Sequence, residues 1–296
     1  MEKKSKSLAV IFAWAVILLI SDLPNILIVK FAGVDPPWTV WAKIGILVVS
    51  LVLCFSIKTI GPLWKFAFVF LVFYLANIAV DWVFQSDFWQ NRFYEEPVSY
   101  TASFLSFHAL DILRALLVIA ALWFVKRNRA DFFLVKGQMD APIEPVRWLG
   151  IKQGESWRTF GWIFTVCAAA AIVIPLSFSV PLTVEAFSRA LPFLPLAILL
   201  AGLNAFAEET YYRASMLSTL KDFLGNNHAL LLSCIFFGLA HWLYGSPPGV
   251  IGSALTGFLA FLLGKSMLET KGMLWAWIMH FIPDVFIFFS YAMTWK

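Results

Sequence analysis

The chain has 296 residues, of which 61% are hydrophobic and 14% charged, and its mean hydropathy is +0.81. Soluble domains carry about 25% charged residues, so these values exclude a soluble globular protein and point to an integral membrane protein. The net charge of +4 is spread over the segments between apolar runs, which suits membrane orientation and not a nucleic-acid partner.

Apolar runs near the length of a membrane-spanning helix recur along the whole chain. They are predicted at about 8–30, 38–57, 63–85, 104–125, 159–180, 193–218, 228–244, 249–268 and 273–293. The short alternating segments of an outer-membrane barrel are not seen. The expected fold is therefore all-α, a polytopic transmembrane bundle of eight to nine helices. The first run follows MEKKSK without a convincing cleavage site and reads as a retained helix. Cys54, Cys167 and Cys234 all fall in apolar runs and read as small buried residues. The tryptophans read mostly as anchors at the membrane–water interface.

The longest connection, 126–158, holds Lys126, Arg127, Arg129, Lys136, Arg147, Lys152 and Arg158, and should be cytoplasmic. So should the N-terminus, with Lys3, Lys4 and Lys6. Four predicted helices separate the two, which agrees with both lying on one side. The segment around Asp87, Glu95 and Glu96 then faces outward, as does Lys296. The connection divides the chain into a four-helix N-terminal region, 1–125, and a C-terminal region, 159–296. No internal repeat is evident.

The chemistry concentrates in the C-terminal region. Glu208 and Glu209 lie side by side in an apolar helix, where an ionised carboxylate costs at least ~2.5 kcal/mol on insertion scales. Arg213, four residues after Glu209, shares its face in the favourable order, which leaves Glu208 without a local partner. Two further helices carry His241, within FFGLAHW, and His280 with Asp284, within HFIPD. At about 1.5 Å per residue from the cytoplasmic helix ends, all four can meet near one level, roughly mid-membrane. Such a group can activate water: a carboxylate or imidazole takes the proton, and a second donor holds the oxyanion. Glu208, His241 and His280 are equally able to hold zinc with an open water position, although HExxH is absent.

EETYYR resembles the EExxxR motif of the CAAX-protease and bacteriocin-processing family of intramembrane endopeptidases. Phe237 to His241 is similar to its FxxxH motif, and His280 to Asp284 to its HxxxN/D motif. The resemblance spans roughly 150–296, beginning near LGIKQGESW. It implies that Glu208 and His241 activate water, that His280 and Asp284 stabilise the oxyanion or orient the carbonyl, and that Glu209 with Arg213 is structural. It implies hydrolysis near the C-terminal end of a membrane-anchored protein or peptide, prenylated or bearing a sorting signal, by a multi-pass enzyme of the cell membrane. The site should open toward the cytoplasm. The family's mechanism has been read as glutamate-dependent and as metal-dependent. Ala214 stands where many members have Gly, and Asp284 where many have Asn. An ionised Asp284 opposes an oxyanion, so it must be protonated, paired or not a donor.

Two other readings stand beside this one. A proton-coupled transporter would use the buried Glu and His as a relay. An immunity or scaffold relative would be non-catalytic. His108, Asp111 and Arg114 read as a network packing the two regions together. Asp22 and Asp81 read as interfacial or pore-side singles, and Gly257 and Gly264 as close helix packing.

Overall fold

The structure, a computed structural model, describes residues 2–243, 245 and 247–295, with side chains from residue 7 onward. The expected outward position of Lys296, and the side chains of Lys3, Lys4 and Lys6, fall outside the described residues. The chain is all-helical, with α1 (Glu2–Ile20), α2 (Leu23–Ala32), α3 (Thr39–Ser56), α4 (Trp64–Phe84), α5 (Asp87–Phe93) and α6 (Tyr100–Lys126) in the N-terminal region. Then come α7 (Trp157–Ser179), α8 (Val184–Ala190), α9 (Leu194–Glu208), a π-helical turn (Glu209–Ala214) and α10 (Ser215–Leu224). The last three are α11 (Asn226–Ala240), α12 (Val250–Thr270) and α13 (Leu274–Thr294).

Seven of these segments are long and apolar enough to cross a membrane, and α1 with α2 makes an eighth, bent by 49°. The bend has a local cause. Pro24 opens α2 and cannot donate to the preceding turn, and the Ser21 hydroxyl accepts from Leu23 N–H. Most expected and observed helices coincide within a few residues; the run expected at 8–30 is two helices starting at Glu2, and the one expected at 193–218 runs on to Leu224. The run predicted at 228–244 forms the 15-residue α11. At about 1.5 Å per residue it is roughly 22 Å long, short of the ~30 Å hydrocarbon core. Large apolar side chains on α3 and α7, such as Val52, Phe55, Val166 and Phe178, face outward, as a lipid solvent allows. Cys167 shares that exposed face of α7 and is not buried as expected.

The bundle has two distinguishable ends. At one, Lys126 of α6 pairs with Asp222 of α10 at 2.8 Å, and Gln138 N–H donates to Thr270 O of α12 at 2.7 Å. The basic segment lies at this end and is folded. Phe132, Phe133 and Ile143 are buried, and the chain pairs with itself at Pro142 with Ser156 and at Val146 with Ile151. Arg127, Arg129, Lys136, Arg147, Lys152 and Arg158 stay exposed. Trp157 and Trp275 pin this segment from inside, donating to Glu269 Oε2 (2.8 Å) and Met139 O (2.9 Å), so these two are core residues and not interface anchors. Gly137 sits at φ +77° so close to the α12–α13 turn that a Cβ would fall 2.7 Å from Thr270 O.

The other end gathers the start of α6, the end of α13 and α8. Tyr100 donates to Phe288 O at 2.8 Å, and Arg189 to Met293 O at 3.2 Å. α13 packs against α7, α9 and α12, while α6 packs against both α4 and α9, so the two sequence regions share one core.

Candidate active site

The π-helical turn begins at Glu209, one residue after α9 ends at Glu208. Single π turns inside helices recur at functional sites because they re-aim the side chains around them. Two hydroxyls help the widened turn: Thr210 Oγ1 donates to Phe206 O (2.8 Å) and Ser215 Oγ to Tyr211 O (2.5 Å). Glu209 and Arg213 have no exposure at all, and Arg213 Nη1 lies 3.0 Å from Glu209 Oε1. No N–H of Arg213 is aligned on a carboxylate oxygen, so this is a charge contact and not a directed hydrogen bond. The guanidinium also lies over the Phe237 ring, 3.7 Å from its centroid, a cation–π contact in a desolvated setting.

His280 joins the two glutamates. Its Nδ1–H donates to Glu209 Oε1 at 2.8 Å, while Nε2 lies 3.6 Å from Glu208 Oε2 and 3.6 Å from Asp284 Oδ2. Both ring nitrogens therefore face carboxylate oxygens, which calls for a proton on each. Asp284 is one turn further along α13, and its Oδ2 accepts from Asn204 Nδ2 at 2.9 Å. Asn204 and Glu208 are four apart on α9 and share a face.

His241 ends α11. Its Nδ1–H donates to Phe237 O at 2.9 Å, which leaves Nε2 as the acceptor. Phe237 therefore does two things in FxxxH: its ring covers Arg213 and its carbonyl sets the imidazole tautomer. α11 is short, and His241 caps its C-terminal end. Beyond it the chain folds back, with Gly249 N–H on Trp242 O at 2.7 Å. Gly238 permits this close crossing, since a Cβ there would fall 2.7 Å from Ser253 O of α12.

Glu208, His241, His280, Asp284 and Asn204 all line one cavity of about 540 Å³. Its remaining wall comes from the N-terminal region, with Phe84, Tyr94, Ser103, Phe104, Phe107 and His108, and from Ile287, Phe288 and Tyr291 of α13. These residues belong to the bundle end away from the basic segment. The basic segment and the cavity therefore lie toward opposite ends of the bundle. The helix expected to stop near Ser218 continues to Leu224, which moves Glu208 away from the basic end.

Arg114 and Asp111 pair at 2.7 Å, and Tyr211 Oη donates to Asp111 at 3.3 Å, linking α6 to the π turn as a packing network would. His108 donates from Nδ1 to Phe104 O (2.8 Å) and packs on Phe288 of α13, across the two regions, and it also borders the cavity. Asn204 is a polar lining residue not singled out beforehand. Its signal was a polar side chain one turn before Glu208 in an apolar run.

Among the described residues, no three His, Cys, Asp or Glu side chains converge closely enough, as placed, to hold a metal ion. His280 and His241 each use Nδ1 as a donor, to Glu209 and to a backbone carbonyl, and each keeps Nε2 for the cavity.

The structure is thus a helical bundle of membrane-spanning length with an acid–imidazole cluster lining one internal cavity. Residues 189–286 match the family described as Rce1-like, Type II CAAX prenyl endopeptidase Rce1-like. The match is consistent with the CAAX-protease and bacteriocin-processing family and contains all three motifs. It covers about a third of the chain, less than the 150–296 expected. At the family level it supports an intramembrane endopeptidase acting on a membrane-associated protein. No curated protein and no solved structure matches the chain significantly.

Proposed function

We propose that the chain is an intramembrane endopeptidase in which Glu208 and His241 activate water inside the bilayer. The supporting observation is the convergence of three helices on one cavity, with His280 held between both glutamates and Asp284. A water between the Glu208 carboxylate and His241 Nε2 gives its proton to Glu208 as its oxygen attacks the scissile carbonyl. The carbonyl oxygen becomes an oxyanion facing His280 Nε2–H. Glu208 then returns the proton to the leaving amine as the C–N bond breaks, giving a carboxylic acid and an amine. Burial of these groups among apolar helices strengthens each charge interaction. Glu209 and Arg213 take no part in proton transfer. They hold His280 in place.

The exposed basic side chains orient the segment 126–158 to the cytoplasm. The cavity then extends toward the outer side, and the scissile bond of the substrate enters from there. A membrane-anchored protein presenting a sorting signal at that face suits the geometry better than a prenylated tail on the cytoplasmic leaflet. The test is Glu208→Gln. Peptide termini of co-expressed membrane-anchored proteins are compared by mass spectrometry, and cleaved termini must disappear in the variant.

A further inference from the structure

The oxyanion needs neutral or positive donors, yet the deep end of the cavity is rich in acceptors. Glu208, Asp284 and His241 Nε2 offer none, and the His280 Nε2–H is shared between two carboxylates at 3.6 Å each. Asp284 stands where the family motif also admits Asn, so the position that would carry an amide carries a carboxylate. The amide is present nonetheless, on another helix. Asn204 of α9 borders the same cavity, and its Nδ2 donates to Asp284 Oδ2 at 2.9 Å.

That hydrogen bond fixes which way the amide faces. A carboxylate only accepts, so the NH₂ group and not the carbonyl oxygen must meet Asp284. One N–H is used there, and the second has no hydrogen-bond partner among the described residues. Asn204 and Glu208 lie one turn apart on one face, so the amide stands beside the carboxylate that takes the water proton.

We propose that Asn204 is a catalytic oxyanion donor and that Asp284 is its positioning residue. Polar roles at the two positions are exchanged relative to a site with Asn at the end of the last motif. Asp284 turns the amide and polarises it, and the second N–H meets the developing negative charge.

This inference rests on the endopeptidase reading. The experiment uses the full chain, purified in detergent, with a substrate found by comparing wild type with Glu208→Gln. Asn204→Ala should lower kcat by roughly 10²–10³-fold, the usual cost of one oxyanion donor, with KM changed far less. Adding Asp284→Asn to Asn204→Ala supplies an amide from the other helix and should recover at least about tenfold of that loss. Asn204→Asp should be at least as damaging as Asn204→Ala, and the exchange Asn204→Asp with Asp284→Asn should outperform it. The exchange keeps one amide and one carboxylate, so it tests the idea even where Asn204→Ala fails to fold. A kcat within threefold of wild type in Asn204→Ala overturns the proposal. So do folded double variants that show no recovery. Identical product termini in wild type and Glu208→Gln would instead count against the endopeptidase reading and, with it, this assignment.

Discussion

Replacing Arg213 by Ala removes the one guanidinium that neutralises Glu209 at the centre of the bundle. Both side chains are fully buried, their nearest atoms are 3.0 Å apart, and the guanidinium also covers Phe237. Breaking a buried pair by deleting one partner costs about 3–5 kcal/mol, because the other charge stays in a low dielectric. For a chain of this size each kcal/mol shifts Tm by roughly 2 °C, so the loss should be about 6–10 °C. Arg213→Lys should fall between, since an ammonium keeps the charge but not the planar stack on Phe237. Glu209→Gln in the Arg213→Ala background should regain part of the loss, because the uncompensated charge is gone. Thermal unfolding in detergent, followed by size-exclusion recovery, reads all three. An Arg213→Ala protein that melts within 1 °C of wild type would refute the argument that this pair carries structural weight.

His241→Ala should lower kcat by about 10²–10⁴-fold, and the double variant with Glu208→Gln should be little worse than either alone, since the two act as one unit. Strictly additive losses in single-turnover assays would separate their roles. Removing divalent metals with a chelator should leave cleavage within twofold, because no ligand triad converges among the described residues. Abolition by the chelator with rescue by zinc would contradict the donor analysis. A cysteine introduced at Ser103, which lines the cavity, should react with an impermeant maleimide added outside intact cells, and cysteines at Arg147 or Lys152 only after lysis. The reverse pattern would turn the cavity toward the cytoplasm.

The helices were legible because the bilayer sets their length, and runs of that length leave few alternatives. The site was legible because an ionisable residue in such a run is rare enough to be informative alone. Glu208, His241, His280 and Asp284 were grouped by helical spacing together with the three motifs they fall in, and all four line one cavity. What could not be read has physical causes. The π turn leaves no propensity signal in ETYYRA; it is set by packing around Arg213 and Phe237. The shortness of α11 depends on the fold-back after His241, a tertiary contact with α12. Which end the cavity faces required the true end of α10, six residues beyond the expected one. Asn204 carries no charge, and both it and His108 have a bland local explanation. Only the assembled cavity shows what they face. Asp284, a carboxylate where many members of the resembled family have Asn, is hydrogen-bonded to Asn204, a contact no local pattern shows.

The most direct test of the central claim compares the membrane proteomes of cells making wild type or Glu208→Gln, with termini mapped by mass spectrometry. The account predicts one or more membrane-anchored proteins cut in the presence of wild type and intact with the variant, at equal levels of folded enzyme. Identical termini across a broad set of such proteins, with both forms folded, would contradict it.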